Sequence, residues 1–287
     1  CADLHLRHGG APPAFVELGP GRGTLAADAL RAMRQAQFEP EVHFVETSPV
    51  LRDVQATRVP QAQFHRDIAE LPTDRPLIIV ANEFFDALPV RQLIKTGQGW
   101  RERMVALDGD QLVPVAGQLP VDPLIPEAMR DAEDGTIIET CPAGTALASD
   151  LAQRLSAQGG AMLIIDYGYL TSQPGDTLQA LYRHRFADLF DRPGEQDLTA
   201  HVDFAALAAA VADSGVRLVG PVSQAGFLRR LGIEARMQAL IAGRDGEAAA
   251  AVRAAHDRLV DDQAMGTLFK VMAMVAPGWP APEGFDG

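Results

Sequence analysis

Three glycines and an acid stand at a spacing that suits a positively charged ligand. Glu17 is followed by Gly19, Gly21 and Gly23. Glycines let the backbone pass close beneath a ligand, and the free N–H groups at the start of a following helix face whatever lies there. A carboxylate at this point attracts a cation and would repel a pyrophosphate.

The glycine spacing distinguishes two nucleotide-type cofactors. A dinucleotide fingerprint needs a glycine at its sixth position, where this chain has Thr24. Glycines at alternate positions, two residues after an acid, are instead the spacing of the loop that holds S-adenosylmethionine (SAM) in class I methyltransferases. SAM carries an ammonium and a sulfonium group and no phosphate. The loop therefore predicts SAM, although a glycine loop taken alone is also compatible with an ordinary turn.

A second acid follows the next predicted strand, 42–45. Glu46 lies 23 positions after Gly23, close to the offset of ~20 residues at which α/β nucleotide sites place a carboxylate for ribose hydroxyls. The alternative is an acid at a helix N-terminus, because Ser48 and Pro49 are typical of a helix start. Both interpretations can hold together.

A third acid follows a short predicted strand, 62–65. Asp67, with Ile68 beside it, stands where an acid of a SAM site accepts a hydrogen bond from the adenine amino group. The alternative is a solvated loop acid. We predict that Asp67 and Ile68 contact the cofactor.

A continuous apolar run, 77–81, predicts a strand covered on both faces, and it stops at a loop with two acids and two phenylalanines. Ligands of open α/β sheets bind beyond the carboxyl ends of the strands. We therefore predict that Asn82 contacts the cofactor and that Glu83 and Asp86 act in the reaction. The alternative is that both acids cap the next helix.

These residues need a frame of alternating strands and helices. The pattern predicts an α/β fold, a Rossmann-like sheet of the class I SAM-methyltransferase type with helices on both faces. We expect a single domain over 1–287. It carries a hairpin insertion at 97–135 that continues as a mobile, proline-containing loop, an irregular substrate-side loop at 170–200, and a helical insertion at 224–266.

Composition excludes several classes of protein. The chain has 287 residues, 47% hydrophobic and 22% charged, and a net charge of -13, which argues against nucleic-acid binding. Cys1 and Cys141 provide neither a disulfide framework nor metal-ligand spacing, and they fit a reducing compartment. No apolar run approaches the ~18 residues of a membrane span. Hydrolase, zinc and Walker motifs are also absent from the sequence.

Seven stretches in one order resemble the MidA-like methyltransferases, a family that includes the mitochondrial complex I assembly factor that methylates an arginine. The segments Asn-Glu-Phe-Phe-Asp-Ala-Leu-Pro and Asp-Leu-Thr-Ala-His-Val-Asp-Phe are far more specific than the glycine loop. The family also has an N-terminal portion that folds over the SAM site. We expect the present sequence to be truncated and to lack this portion. The matching stretches are 17–25, 45–52, 81–89, 165–169, 175–178, 196–204 and 268–271.

The resemblance implies methyl transfer from SAM to a guanidinium nitrogen of a protein arginine. It implies a protein substrate such as a complex I subunit, and a bacterial cytoplasmic or a mitochondrial matrix location. A homodimer is one option for the oligomeric state, which stays open. Glu83 and Asp86 are the candidates for holding the guanidinium group, and Asp166 is a further one. His201 is an alternative base, although a histidine beside a helix start is more often structural. That helix start is predicted at Asp203, which is expected to cap the helix that follows.

Two other functions are compatible with parts of the sequence. A non-catalytic assembly factor could keep the methyltransferase fold as a protein-binding module, but Glu17, Glu46 and Glu83 are all present. An NAD-dependent oxidoreductase is disfavoured by Thr24.

Overall fold

The structure is a computed structural model that describes residues 1–183 and 185–285. Strands and helices alternate through its first part. In chain order the strands are β1 (Ala14–Leu18), β2 (Val42–Val45), β3 (Gln63–His65), β4 (Leu77–Asn82), β5 (Arg91–Thr96), β6 (Gly99–Asp108), β7 (Gln111–Pro120), β8 (Ile137–Thr140), β9 (Gly160–Tyr169), β10 (Gln179–Tyr182), β11 (Arg185–Ala187), β12 (Asp197–Thr199), β13 (Val202–Asp203), β14 (Arg217–Ser223) and β15 (Phe269–Val275).

The helices separate the strands of the first part and form a group of their own near the end. They are α1 (Ala2–His8), α2 (Thr24–Gln35), α3 (Pro49–Arg58), α4 (Pro142–Gln158), α5 (Phe204–Val211), α6 (Gln224–Arg230), α7 (Ile233–Ile241), α8 (Gly246–Val260) and α9 (Met265–Leu268), with short 3-10 helices at Ile68–Glu70, Asp122–Leu124 and Glu127–Met129. Within the described residues, no helix combines the length and apolar character that a membrane crossing requires.

The central sheet has the strand order β14-β15-β9-β4-β1-β2-β3, and β13 pairs with β9. Strands β9, β4, β1, β2 and β3 are parallel to one another, whereas β15 is antiparallel to both β9 and β14. The carboxyl ends of the parallel strands therefore meet at one edge of the sheet. This confirms the predicted α/β fold and explains why residues distant in sequence can form one site.

Helices cover both faces of this sheet, because alternate strand residues point to opposite sides. Val16 belongs to a buried cluster that includes Leu151 of α4 and Leu207 of α5. Phe15, the neighbouring residue, belongs to a second cluster that includes Leu30 of α2.

Local capping signals place two of the helices. Ser48 accepts a hydrogen bond from the Leu51 N–H at 3.3 Å, and Pro49 is the first residue of α3. Asp203 accepts one from the Ala206 N–H at 2.9 Å at the start of α5. Both starts were predicted from the sequence and are confirmed.

A second, antiparallel sheet has the order β7-β6-β5-β8. Strands β6 and β7 lie within the predicted 97–135 insertion, and β5 and β8 flank it. This sheet has its own buried cluster, which includes Trp100 and Ile138. The proline-containing loop begins later than the sequence predicts, because β7 continues through Pro114 to Pro120. Since β7 is an edge strand of this sheet, a proline without an N–H is tolerated in it.

The 170–200 segment also contains more regular structure than the predicted irregular loop. Strands β10, β11 and β12 form a small antiparallel sheet of order β11-β10-β12. These strands have three or four residues, too few for a period of two to be visible in the sequence. His184, which the sequence analysis includes in this segment, lies outside the described residues.

The helical segment between β14 and β15 contains α6, α7, α8 and α9. Helix α8 contacts α6, α7 and α9, so these helices form a compact group. The division of the chain at 97–135, 170–200 and 224–266 stays a prediction.

Candidate active site

The glycine loop, residues 19–23, follows β1 directly and leads into α2. Its three glycines have φ values of 59°, 55° and 71°, a region that side chains rarely adopt. A Cβ atom added at Gly19 would come within 2.8 Å of the Phe84 ring, whereas one added at Gly21 would meet nothing within 4 Å. Gly19 therefore allows close packing, and Gly21 leaves open space above the loop where a ligand can lie.

Glu17 is a buried acid near the end of β1, with 3% of its surface exposed. Burial raises its pKa to about 7, and the backbone N–H of Ala26 in the first turn of α2 opposes this rise. Its Oε2 atom has no hydrogen-bond partner among the described residues. A buried carboxylate oxygen without a partner costs free energy, and a cationic ligand group would lower that cost.

Glu46 follows β2, and each of its carboxylate oxygens accepts a hydrogen bond. Its Oε1 accepts from the Ser48 N–H at 2.8 Å, and its Oε2 accepts from Gln55 Nε2 at 3.2 Å. The same Gln55 nitrogen donates to the carbonyl oxygen of Gly21 at 2.8 Å. Gln55, on α3, thus joins the second predicted cofactor acid to the glycine loop. The sequence analysis missed this residue, whose only local signal is a glutamine on the inward face of a helix.

The other predicted cofactor residues lie at the same edge of the sheet. Asn82 ends β4, and its Nδ2 lies 3.4 Å from Glu83 Oε1. Asp67 is exposed, and its Oδ1 accepts from the Ala69 N–H at 2.8 Å, while Ile68 packs against the main buried cluster. The structure therefore brings these residues to the edge that carries Glu17, the glycine loop and Glu46. Their contacts with a cofactor stay predictions.

The 82–89 loop is held in place by the carboxylate of Asp166, which is fully buried in β9. Asp166 Oδ2 accepts the N–H groups of Phe84, Phe85 and Asp86 at 3.2, 3.0 and 3.2 Å. Its Oδ1 accepts the N–H of Tyr167 at 3.0 Å. Burial and the neighbouring Asp86 raise the pKa of Asp166 to about 8, and the N–H donors oppose that rise. Asp166 therefore fixes the loop and is not available to a substrate.

The two predicted catalytic acids occupy different environments. Glu83 is exposed and has φ 48°, a strained value for a residue with a side chain. Partial loss of solvent around the carboxylate and then repulsion from Asp86 raise the pKa of Glu83. A hydrogen bond from Asn82 and the charge of Arg258 lower it.

Asp86 is 6% exposed, and its Oδ2 accepts the Tyr167 hydroxyl at 2.7 Å. Its Oδ1 has no partner among the described residues, and burial raises the pKa of Asp86. The exposed carboxylate of the pair is thus Glu83, and Asp86 lies beneath it in the protein.

His201 lies among aromatic rings. Its ring centroid is 5.4 Å from that of Tyr167 and 5.2 Å from that of Tyr169. Its backbone N–H donates to Thr177 Oγ1 at 2.9 Å, and burial lowers the pKa of the imidazole. These contacts agree with the structural role that the sequence favoured over a catalytic one.

The residues present fit SAM. A buried acid with an unpartnered oxygen lies near the end of β1, open space lies above Gly21, and an anchored acid follows β2. The mostly parallel sheet, with β15 antiparallel beside β9, agrees with the fold predicted for a class I SAM-dependent methyltransferase. Fold and site together define a class I SAM-dependent methyltransferase.

Comparison with known proteins identifies the family. Residues 5–222 match the model of a family described as S-adenosyl-L-methionine-dependent methyltransferases. The chain is 35% identical to the Mus musculus protein named protein arginine methyltransferase NDUFAF7, mitochondrial, and this match covers 93% of the chain and 68% of the mouse protein. The Homo sapiens protein of the same name is 32% identical, with 91% and 66% covered. The chain belongs to this methyltransferase family, and it spans about two thirds of the length of these relatives.

Two solved structures from Burkholderia thailandensis have the same fold. One is 30% identical with a TM-score of 0.84, covering 99% of this chain and 78% of that one. The other is 29% identical with a TM-score of 0.83, covering 99% and 76%, and it was crystallised with S-adenosyl-homocysteine. These similarities support SAM as the cofactor of the present chain.

Proposed function

We propose that this protein transfers a methyl group from SAM to a guanidinium nitrogen of an arginine in a protein substrate. The observation that carries the proposal is the exposed Glu83 carboxylate, at the end of the strand next to β1 and beside the loop that contacts Gly19. The names of the mouse and human relatives, both protein arginine methyltransferases, support the same substrate group.

Arginine chemistry requires orientation more than deprotonation. The guanidinium group stays protonated, with a pKa above about 12. When bound, SAM supplies an electrophilic methyl group on its sulfonium sulfur. The Glu83 carboxylate can accept two N–H bonds from a guanidinium group and leave the remaining nitrogen free to be aimed.

Glu83 is also the group best placed to take the proton that leaves after transfer. A raised pKa makes a carboxylate a better proton acceptor. Asp86 contributes to this raised pKa, and its backbone N–H is held by Asp166. We therefore assign Glu83 to contact with the guanidinium group and Asp86 to the positioning of Glu83.

The two carboxylates of the cofactor side have separate tasks. Glu17 lies buried behind the glycine loop with an unpartnered oxygen, which suits a cationic group of the cofactor. Glu46 keeps acceptor capacity beyond its two present donors, which suits hydroxyl groups. A purely structural module would have no need of the unpartnered oxygen of Glu17 in its buried position.

A subunit of respiratory complex I is the substrate that the family resemblance suggests, and it stays a prediction here. Incubation of the protein with tritiated SAM and isolated complex I, followed by mass spectrometry of the labelled subunits, tests it. Absence of label from every complex I subunit, with arginine peptides still methylated, would refute this substrate and leave arginine methylation intact.

The test of the proposed function uses Glu83→Gln and arginine-containing peptides. We expect tritium on ω-N-methylarginine after hydrolysis for the unaltered protein, and a loss of about 100-fold or more for the variant. SAM affinity by calorimetry should change by less than about threefold, because Gln keeps the size of the side chain. The control is Glu127→Gln, an exposed acid of the second sheet's insertion. Turnover by Glu83→Gln at the rate of the control would refute the assignment.

A further inference from the structure

A cavity of about 330 Å³ adjoins the 82–89 loop at Phe85. Phe84, one residue earlier, contacts the glycine loop at Gly19. Among the described residues that line the cavity, none is a predicted cofactor contact. The cavity is therefore separate from the cofactor side and still borders the loop that carries Glu83.

The walls of the cavity are mainly apolar. They include Leu124 and Met129 from the insertion, Ile138 from β8, and Ala206 and Leu207 from α5. An apolar cavity of about 150 Å³ already holds a benzene-sized group. The present volume is therefore enough for a branched or aromatic side chain.

Two acids line the cavity, and both already accept hydrogen bonds from the protein. Asp203 accepts one from the Ala206 N–H at 2.9 Å. Glu139 accepts hydrogen bonds from Gln92 Nε2 at 2.7 Å and from the N–H groups of Thr177 and Leu178 at 3.0 and 2.9 Å. The cavity thus contains two carboxylates that already have donors, together with apolar walls. This combination suits an apolar occupant better than a cation.

The position of the cavity limits what can enter it. Glu83 and Phe85 are two residues apart, so their Cα atoms are separated by at most about 7 Å. The cavity therefore lies within reach of residues a few positions away from an arginine that contacts Glu83. Leu124, 56% exposed and part of the lining, offers apolar surface to such residues.

We propose that this cavity receives a large apolar side chain of the protein substrate, from a residue within a few positions of the target arginine. The inference rests on the proposed function and adds a sequence preference to it. The substrate would be recognised by an arginine and an apolar residue at a fixed spacing.

The first test scans a leucine through peptides of eleven residues. Each peptide has one central arginine in a background of alanine and glutamine, and leucine occupies one of the other positions. For the protein with SAM, we expect kcat/KM to rise about tenfold or more at one position or two adjacent ones, as burial of a leucine side chain predicts. Ala206→Phe fills the cavity and should reduce this preference to less than threefold. Ala209→Phe, on an exposed position of the same helix, should keep it.

The second test measures binding without turnover. Cys141 lines the cavity, and in a Cys1→Ser variant it is the remaining cysteine of the chain. Its modification by methyl methanethiosulfonate is followed by mass spectrometry, at pH 9 because burial raises the pKa of the thiol. The best leucine peptide should slow this modification at least fivefold, and the peptide without leucine should not.

The outcomes separate the two proposals. Methylation of all peptides at similar rates, with Cys141 unprotected, would overturn the cavity proposal and leave arginine methylation standing. A leucine preference that survives in Ala206→Phe would also overturn it. Protection of Cys141 without methylation of any peptide would support the cavity as a binding site and refute the proposed function.

Discussion

The side-chain amide of Gln55 donates to the carboxylate of Glu46 at 3.2 Å, and both side chains are buried. The amide nitrogen also donates to the Gly21 carbonyl at 2.8 Å. Helix α3 therefore connects the acid after β2 with the glycine loop after β1. One side chain thus joins two parts of the predicted SAM site.

We expect Gln55→Leu to weaken SAM binding by about 10- to 100-fold. The substitution keeps the volume of the side chain but leaves a carbonyl and a carboxylate oxygen each without a donor, at a cost of about 1–3 kcal/mol. Calorimetry with SAM measures the change. Gln153→Leu, an exposed glutamine of α4, is the control and should bind SAM normally. Equal affinity of the two variants would show that Gln55 does not position the site.

Gly21→Val should abolish SAM binding, with a loss of at least about 100-fold. The residue has φ 55°, and an added side chain would occupy the open space above the loop. The matched control is Gly109→Val at the β6–β7 turn, where φ is 61° and an added Cβ also meets nothing within 4 Å. Backbone strain of about 1–3 kcal/mol should lower the thermal stability of both variants. Only Gly21→Val should lose the cofactor, and calorimetry that finds similar affinity for both would contradict the prediction.

Local signals explain what the sequence predicts well. The apolar run of β4, the caps Ser48 and Asp203, and the glycine spacing each depend on a few adjacent residues, and the structure contains all of them. The acid after β2 was also placed correctly, because the carboxyl ends of parallel strands share one edge.

Contacts between distant segments explain what the sequence could not predict. Asp166 holds Phe85, a residue 81 positions earlier in the chain, and no local pattern shows which loop a buried acid will face. The same limit applies to Asp86, which was grouped with Glu83 because both follow one strand. In the structure Asp86 is buried and bonded to Tyr167, 81 positions later in the chain, whereas Glu83 is exposed.

Removal of the hydroxyl group in Tyr167→Phe should destabilise the 82–89 loop. The Oδ2 atom of Asp86 would lose the Tyr167 hydroxyl, and its Oδ1 atom has no partner among the described residues. The lost buried hydrogen bond is worth about 1–3 kcal/mol. We expect a lower midpoint of thermal unfolding and a lower kcat with arginine peptides, while SAM affinity changes by less than about threefold. Tyr182→Phe, which keeps its ring next to Arg192, is the control. A kcat of Tyr167→Phe equal to that of the control would remove Asp86 from its assigned positioning role.

Glu17 should make the stability of the cofactor-free protein depend on pH. Burial raises its pKa from 4.5 to about 7, so between these values the folded protein keeps a proton that the unfolded chain has lost. Its contribution to the free energy of unfolding therefore falls as pH rises from 4.5 to 7 and is level above 7. Glu17→Gln should remove a slope of on the order of 2–3 kcal/mol over this range in urea unfolding. Glu127→Gln, the exposed control, should keep the slope.

The same shift should make SAM binding release protons near neutral pH. A cationic group beside Glu17 favours the ionised carboxylate, so at pH 6 binding should displace the proton that the free protein holds there. Calorimetry at pH 6 in buffers of different ionisation enthalpy counts the protons released. Asp166, Asp86 and Glu83 also have raised pKa values, and they are common to both proteins, so the difference between the unaltered protein and Glu17→Gln isolates Glu17. We expect a difference close to one proton at pH 6 and close to zero at pH 9. Equal release by the two proteins at pH 6 would place the cationic groups of SAM away from Glu17.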